Sequence, residues 1–504
     1  MSSTENEPAD PIAKGVIPTA KQSLGDLLKW KPNRKIRRLL QTIQHQHYHR
    51  HNAHPPPPLR RRRLLRDVQG VLGFCLGCLW VGQTVKFAAY YKQSNTNITT
   101  AITLTLLLRS VGAAFFGLAG DKFGRKWPMV INMIVLGILQ IATIYSRTFK
   151  EFLAVRSLFG LFMGGVYGNA IAMALEHCPV NARGLMSGIL QQGYAFGYVL
   201  AACANLGVGG ATESWKTVFW AAAGISIAIG LVRICFPESK QFLEAKKNGH
   251  KHITAGAFWK ETKSMLAKEW KMCIYCVILM TWFNFYSHTS QDSYTTFMRQ
   301  SKGLSNAAAS RASIWMKVGA CFGGCIIGYL SQFVGRRRAM IVSAIISACL
   351  IPAWIMPTTE ASLSASGFMI QFFVQGAWGV IPIHLNELSP AAYRSSFPGI
   401  TYQLGNMISS PSAQIVNALA EAYTVKGVTG GRVKAYGPVM GIATAIIAMG
   451  IAATVAVGPE RRGRRFEDEA IAGAGVAIPA KDIEEGDDDM ESKGAKEHIE
   501  MAAK

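Results

Sequence analysis

GLAGDKFGRK at residues 117–126 returns as GYLSQFVGRR at residues 328–337, and this repeat decides the fold. The two stretches lie 211 residues apart, and a second pattern, Glu-x-x-Pro-x-x-x-Arg, begins at Glu176 and again at Glu387 with the same offset. Two further pairs share that offset: Gly188 with Gly399, and Gln192 with Gln403. Four matches at one offset predict that the chain consists of two homologous halves.

The composition places these halves in a membrane. Of the 504 residues, 50% are hydrophobic and only 16% are charged, whereas soluble domains carry about 25% charged residues. The apolar residues form blocks of about 20 residues, the length of a helix that crosses a bilayer. These features exclude a soluble enzyme, a disordered chain and a disulfide-stapled scaffold. Because isolated strands leave backbone groups unpaired in lipid, we predict an all-α membrane protein.

The apolar blocks predict twelve membrane-spanning helices, six in each half. Their predicted bounds are 68–90, 99–119, 127–146, 151–175, 184–207, 215–236, 272–297, 311–331, 338–356, 361–386, 395–421 and 435–457. The predicted organisation is a basic tail over 1–67, a first half over 68–236, a central loop over 237–271, a second half over 272–457 and a tail over 458–504 that is acidic from about 466.

The charge distribution predicts the orientation. Basic residues follow the even-numbered spans, as at Arg125 and Arg336. The positive-inside rule makes that side cytoplasmic and predicts that both termini lie there. Residues 1–67 contain 14 Lys and Arg against 5 acidic residues. This tail fits a surface of anionic lipid, and we expect no nucleic-acid partner, because no motif of that class accompanies it.

An enzyme is not indicated. We find no nucleophile–base set or cofactor loop in the sequence outside the spans. The C-x-x-C pairs at Cys75 and Cys273 lie in apolar helical runs, with no second pair or His to complete a zinc site. We therefore predict no catalytic residues, no cofactor and no metal.

The repeated loop and the Glu-x-x-Pro-x-x-x-Arg pattern resemble those of the major facilitator superfamily. The resemblance implies twelve helices in two pseudo-symmetric halves that alternate access to a central site. Asp121 is expected to pair with arginines across the interface between the halves and so to latch one conformation. Gln332 stands at the matching position and carries no charge, which implies a weaker second latch. The residues to which we assign gating are Asp121, Arg125, Glu176, Arg183, Arg336, Glu387 and Arg394.

A motif in the seventh span narrows the substrate. Residues 284–296 read NFYSHTSQDSYTT and resemble the Asn-x-x-Ser/Thr-His-x-Ser/Thr-Gln-Asp-x-x-x-Thr signature of the fungal Jen-type carboxylate/proton symporters. All seven specified positions agree. The resemblance to the superfamily covers roughly residues 68–460. Jen-type membership implies uptake of short-chain monocarboxylates (lactate, pyruvate and, as a further candidate, acetate) with a proton at the plasma membrane. Some members prefer dicarboxylates such as succinate and malate.

The signature residues also suggest where a proton binds. Asn284, His288, Gln291 and Asp292 share one face of a helix, and ionisable groups within a span usually face a water-filled path. His288 and Asp292 are one turn apart, and we predict that they share the coupled proton. Arg156 in the fourth span is a further candidate for coupling. The alternative is that His288 is a histidine whose ring nitrogens are simply capped by its neighbours at the end of a helix.

A carboxylate substrate requires a cation or several hydrogen-bond donors. Arg109 lies near the middle of the second span, and its guanidinium can hold a carboxylate through two hydrogen bonds. Gln403 and Asn406 share a face of the eleventh span, in a stretch that resembles its counterpart in the Jen-type family. The predicted substrate site comprises Arg109, Gln403, Asn406, Gln291, Asn284 and Phe196. An intrahelical pair for Arg109 and interhelical packing for the two amides are the alternatives.

The first span departs from the family pattern, because its acidic residues are missing and Lys86 replaces one of them. Either Lys86 is a second carboxylate ligand that favours a dicarboxylate substrate, or the stretch over about 40–95 is not encoded by the native transcript. Two other functions stay open: a nutrient sensor that keeps the fold without transport, and a sugar-like or sialate-like porter.

The predicted partners are a small carboxylate, a proton and the lipid bilayer. The family resemblance adds ubiquitin-ligase machinery acting on the cytoplasmic tails, with Lys481, Lys493 and Lys496 as candidate acceptors in the acidic tail. The fold resemblance implies a monomer.

Overall fold

The computed structural model describes residues 90–92, 95–176, 178, 182–207, 215–235, 238, 255–390, 393–426 and 431–462. The first predicted span lies outside these residues except for Tyr90, and Lys86 lies outside them too. The same holds for Lys481, Lys493, Lys496 and the side chain of Glu176.

Each predicted span from the second to the twelfth is helical where the structure describes it. The helices are α1 Asn95–Phe123, α2 Lys126–Tyr145, α3 Phe149–Glu176, α4 Arg183–Gly207, α5 Trp215–Ile234, α6 Ala255–Gln291, α7 Tyr294–Gln300, α8 Asn306–Val334, α9 Arg336–Cys349, α10 Ile351–Ile355, α11 Glu360–Leu388, α12 Ser396–Ser409, α13 Ser412–Ala422 and α14 Tyr436–Val457. An antiparallel hairpin of β1 Thr424–Lys426 and β2 Arg432–Lys434 separates α13 from α14.

The helices have the character of membrane spans. By length and composition, six in the described part of the chain are able to cross a bilayer: α1, α2, α3, α8, α11 and α14. Large apolar side chains cover the outer surface, and Phe115 and Ile138 are 67% and 53% exposed. Polar residues such as Asn132 and Ser347 are buried inside. This is the distribution expected of helices that pack against each other in lipid.

The helices form two bundles that meet along equivalent surfaces. The first half comprises α1 to α5, and the second comprises α6 to α14. Between the halves, α1 packs on α12 and α4 packs on α8. The 211-residue offset relates α1 to α8 and α4 to α12, so the two interfaces are equivalent by the internal repeat.

Small residues bring the backbones together at both interfaces. A Cβ atom added at Gly117 would lie 2.8 Å from the Cα of Ser396, and one added at Gly188 would collide with the carbonyl oxygen of Gly324. Both contacts lie toward the side of the bundle that carries the repeated loops at Gly124 and Gly335. We call this side the basic face, and it is the side predicted to be cytoplasmic.

The seventh span differs most from its prediction. The helix begins at Ala255 and not at 272, with a kink at Glu269. It ends at Gln291. After a break of two residues, Asp292 and Ser293, α7 begins at Tyr294. Residues 255–271, which we assigned to the central loop, are therefore helical. The lysines of this segment lower its mean hydropathy, so the apolar pattern did not reveal that the helix of the seventh span begins before residue 272.

The ninth and eleventh spans are each divided into two helices. Pro352 lies in the first turn of α10, and Pro411 immediately precedes α13. Proline has no N–H group to continue the preceding helix, which accounts for both divisions.

Candidate functional site

The signature of the seventh span lies across the break between α6 and α7. Asn284 is buried and donates to the carbonyl of Met280, one turn earlier, at 2.8 Å. The backbone N–H of Asp292 still donates to the carbonyl of His288 at 3.0 Å, although α6 ends at Gln291. Of the two titratable residues of the signature, His288 therefore lies in the last turn of α6 and Asp292 lies immediately after it.

Four of the predicted residues form one hydrogen-bonded chain. Nδ1 of His288 lies 2.8 Å from Oδ2 of Asp292, and Nε2 lies 3.2 Å from Oδ1 of Asn406 in α12. Nδ2 of Asn406 donates to Oε1 of Gln403 at 3.3 Å. Both neighbours present oxygen atoms to the imidazole, so the doubly protonated ring satisfies both contacts. The side chains of His288 and Asp292 are 22% and 26% exposed, which leaves them accessible to a proton.

The first half reaches this chain through α1. The hydroxyl of Ser110 donates to the backbone carbonyl of Gln403 at 2.9 Å. Arg109 precedes Ser110 and is half-buried. The helix that carries the predicted cation therefore contacts the chain that contains the predicted proton site, although the two belong to different halves.

A second polar network leaves α6 in another direction. Nε2 of Gln291 donates to the hydroxyl of Ser287 at 2.9 Å, and Nε2 of Gln375 in α11 donates to the same oxygen at 3.3 Å. Gln192 in α4 donates to the backbone carbonyl of Gln375 at 3.4 Å. The side-chain carbonyl oxygen, Oε1, of Gln291 accepts a hydrogen bond from Nζ of Lys317 in α8. This network joins the signature helix to both halves.

Lys317 is a site residue that the sequence analysis did not assign. It is only 3% exposed, and its Nζ lies 4.7 Å and 5.2 Å from the ring centroids of Tyr198 and Tyr194 in α4. The available signal was a lysine within an otherwise apolar span, since a charge at that depth is costly and usually functional. The aromatic partners come from the other half and carry no sequence signal of their own.

Arg156 lies in different surroundings from His288 and Asp292. It is fully buried within the first half, where Nη1 donates to Oε1 of Gln140 at 3.3 Å. Its guanidinium lies 4.1 Å from the ring centroid of Phe159. Arg156 is therefore built into the packing of α2 and α3.

Phe196 is 46% exposed. It lies two residues from both Tyr194 and Tyr198, so it projects from the opposite side of α4. The contacts of the first half with Lys317 are therefore made by the two tyrosines of α4.

Asp121 joins the two halves at the basic face. Its carboxylate accepts hydrogen bonds from the backbone N–H groups of Ser395 at 3.0 Å and Ser396 at 2.9 Å, where α12 begins. A carboxylate is favourable there, because the helix dipole places partial positive charge at the N-terminus. Arg125 lies 3.6 Å from the same carboxylate within the first half. The cross-half contact expected with arginines is thus made to backbone N–H groups.

The matching position in the second half has a different partner. Gln332 accepts a hydrogen bond from Arg336 at 2.8 Å, and Arg336 also forms a buried ion pair with Glu387 at 3.2 Å. Arg183 and Arg394, related by the repeat, are both buried, and Arg183 donates to a backbone carbonyl. In the second half, Arg336 therefore joins Gln332 to Glu387.

Two acidic residues outside the predicted set cap the helices that follow the repeated loops. Glu238 accepts from the backbone N–H of Lys126 at 2.9 Å, and Glu460 accepts from that of Arg336 at 2.7 Å. Each follows a proline shortly after the last helix of its half. This shared Pro-Glu sequence is the signal from which they could have been found.

The arrangement offers groups for a proton and for an anion at the contact between the two halves. The imidazole of His288 and the carboxylate of Asp292 can share a proton, and the cations Arg109 and Lys317 can attract an anion. Among the residues that the structure describes, no group of three or more His, Cys, Asp or Glu side chains could hold a metal ion.

Comparison with known proteins agrees with this architecture. The pattern of the Major Facilitator Superfamily matches residues 68–413. A protein of Saccharomyces cerevisiae described as "Carboxylic acid transporter protein homolog" is 34% identical over 392 residues, which cover 74% of this chain and 64% of that relative. It confirms the resemblance predicted from the signature of the seventh span. The chain thus matches slightly less than two thirds of the length of that relative.

Two further similarities are more distant. The "Sialic acid transporter NanX" of Escherichia coli is 26% identical over 310 residues, covering 60% of this chain and 73% of that protein. The structure of the proton:xylose symporter XylE bound to 6-bromo-6-deoxy-D-glucose superimposes with a TM-score of 0.62 at 17% identity. It covers 80% of this chain and 97% of XylE. At that identity the likeness concerns the fold alone.

Proposed function

Because the chain belongs to the Major Facilitator Superfamily, we propose that it imports short-chain monocarboxylates together with protons across the plasma membrane by alternating access. Membership confirms the predicted fold class, twelve membrane helices in two pseudo-symmetric halves, and makes the chain one of a family of transporters rather than enzymes. The proposed substrates are lactate and pyruvate, with acetate as a further candidate.

The observation that carries the proposal is the position of His288 between Asp292 and Asn406. An imidazole with an oxygen atom on each side is stabilised when it carries two protons. With an ordinary pKa of about 6.5, a histidine can load and release a proton in the physiological range. Asn406 belongs to another helix, so a change of protonation at His288 changes the contact between α6 and α12. Proton binding and helix movement are linked in this way.

The carboxylate is proposed to bind beside this pair. Arg109 offers two parallel N–H donors to a carboxylate, and Gln403 and Asn406 offer amides for a neighbouring hydroxyl or keto oxygen. Asn284 lies one turn before His288 on the same face of α6. Phe196, which projects from the side of α4 opposite Tyr194 and Tyr198, has no part in this proposed site. The description of the yeast relative as a carboxylic acid transporter supports this substrate class.

The contacts at the basic face supply the proposed gate. Asp121 holds the start of α12 through two charged hydrogen bonds, whereas the equivalent Gln332 carries no charge. Release of Asp121 from Ser395 and Ser396 is the step that would open the central site toward the basic face. The other residues of the proposed gate are Arg125, Arg183, Arg336, Glu387 and Arg394. Glu176 is included in the gate only because the repeated sequence pattern pairs it with Glu387.

The test is uptake of labelled lactate at pH 5 and pH 7 in a host without carboxylate permeases of its own. We expect faster uptake at pH 5, loss of uptake with an uncoupler, and competition by pyruvate and acetate. Succinate and a sugar serve as competitors of other classes. Stronger competition by succinate than by pyruvate would favour the dicarboxylate alternative, and an absence of uptake by protein at the cell surface would favour the sensor.

The orientation and assembly are also proposals. We propose that both termini face the cytoplasm, that the protein is a monomer, and that its tails are substrates of ubiquitin ligases. Epitope tags at each terminus that are stained only in permeabilised cells would support the orientation. Staining of intact cells would contradict it.

A further inference from the structure

We propose that the ammonium group of Lys317 binds the carboxylate of the transported acid. In the absence of substrate, the side-chain carbonyl of Gln291 occupies the position of that carboxylate. This inference rests on the proposed function, because it assigns a residue to the site of that function. It adds a second cation to Arg109, supplied by the other half of the protein.

The position of Lys317 is the first argument. Its Nζ contacts Gln291 in α6 of its own half and the rings of Tyr198 and Tyr194 in α4 of the other half. A cation that contacts both halves lies where alternating access must expose the substrate to each side in turn. Lys317 also lies inside the apolar helix α8, about 16.5 Å along it from its start at Asn306.

The chemistry of these contacts is the second argument. Nζ points at a carbonyl oxygen and at the electron-rich faces of two phenol rings, and both kinds of partner attract a cation. For an ammonium donor, a carboxylate oxygen is a stronger acceptor than an amide oxygen, because the carboxylate carries a negative charge and the amide does not. A carboxylate that reaches Nζ would therefore displace the Gln291 carbonyl.

The displacement has a defined consequence. Gln291 also donates to Ser287, which accepts from Gln375, and the backbone of Gln375 accepts from Gln192 of the first half. Removing Gln291 from Lys317 frees its side chain and disturbs this network. Substrate binding at Lys317 is in this way connected to a contact between α4 and α11, which belong to different halves.

The neighbouring acid connects the same site to the proton. Asp292 directly follows Gln291, whose side-chain carbonyl accepts a hydrogen bond from Lys317. Protonation of the His288–Asp292 pair removes negative charge from this region. The field around Lys317 then favours an incoming carboxylate, which is the order of events that a proton symporter requires.

The experiment compares Lys317→Met, Lys317→Arg and a matched control, Lys434→Met. Lys434 lies in the β1–β2 hairpin, where it pairs with Glu421 at 2.8 Å. Two quantities are measured for each variant: the KM for labelled lactate in cells, and the rise in Tm of the purified protein with lactate. Lactamide, a neutral analogue of similar size, tests whether the charge of the ligand matters.

We expect Lys317→Met to raise the KM about tenfold to a hundredfold, as for loss of a charged hydrogen bond, and to abolish the Tm shift. Lys317→Arg should keep most of the shift, Lys434→Met should resemble the wild type, and lactamide should give no shift. If Lys317→Met fails to reach the surface, Lys317→Gln replaces it, with the same expectation.

The outcomes separate the two proposals. An unchanged KM and Tm shift in Lys317→Met, with uptake intact in the wild type, would overturn the role of Lys317 and leave the function standing. A wild-type protein that does not transport but binds lactate through Lys317 would overturn the function and keep the site. A lactamide shift equal to that of lactate would also overturn the carboxylate assignment.

Discussion

The ring of Tyr167 in α3 stacks on the ring of Tyr402 in α12, with centroids 4.0 Å apart and planes inclined by 18°. The two residues belong to different halves, and both are buried. Trp378 in α11 meets Tyr402 edge-on, with centroids 5.9 Å apart. Tyr402 lies one turn from Asn406 toward the basic face, so this aromatic group lies on the basic-face side of the His288 chain.

Replacing Tyr402 tests whether the stack is a gate. An aromatic pair contributes about 0.5–1.5 kcal/mol beyond its buried area, so Tyr402→Leu should shift the balance between closed and open forms roughly two- to tenfold. We expect the initial rate of lactate uptake per surface molecule to change by a similar factor. Tyr402→Phe keeps the ring and should stay close to the wild type. Equal rates for the Leu and Phe variants would contradict a role for the stacked ring.

Neutralising Asp121 tests the charged latch. Asp121→Asn keeps the shape of the side chain but removes the charge that faces the N-terminus of α12, which is worth about 1 kcal/mol or more at a partly buried helix end. The form that is closed at the basic face then becomes less stable. Because the carrier must pass through this form in each cycle, we expect the uptake rate to fall about fivefold. Gln332→Asn, at the equivalent neutral position, is the matched control. A larger fall in uptake rate for Gln332→Asn than for Asp121→Asn would contradict a latch that depends on the negative charge of Asp121.

The internal repeat made much of the fold predictable. Gly117 and Gly188 were recognisable because each recurs at a fixed offset, and the structure places them at the interfaces between the halves. Hydropathy predicted the spans where nothing interrupts them. It did not predict the start of α6 at Ala255, because that helix carries lysines before it becomes apolar, nor the division at Pro411, because the apolar run continues through it.

The candidate site was predictable along one helix but not between helices. His288 and Asp292 follow from spacing on α6, and the partner of His288, Asn406, was already a candidate on α12. Lys317 could not be placed, because its surroundings depend on how far α8 is rotated toward α4. Helical periodicity gives the face that a residue shares with its neighbours in sequence, but not which helix that face meets.

The proton pair can be tested directly. His288→Ala and Asp292→Ala should each remove the rise in uptake between pH 7 and pH 5, because the proposed mechanism has the coupled proton shared by the imidazole and the carboxylate, which lie 2.8 Å apart. We expect uptake at pH 5 to fall to roughly a tenth of the wild-type rate, as for loss of a charged hydrogen bond. Ser293→Ala is the control, since Ser293 adjoins Asp292 but donates to Asn417. An intact pH dependence in both alanine variants, at normal surface expression, would exclude the pair from proton coupling.

The two arginines of the first half should respond differently to the same substitution. Arg109→Lys keeps the charge but cannot form two parallel hydrogen bonds, so we expect the KM for lactate to rise about tenfold with little change in Tm. Arg156→Lys loses the contact with Gln140 and part of the packing on Phe159, which are internal to the first half. That variant should lower the Tm and leave the KM and the pH dependence of uptake unchanged. Matching kinetics for Arg109→Lys and the wild type would move the anion site away from α1, and an altered pH profile in Arg156→Lys would return Arg156 to the coupling pathway.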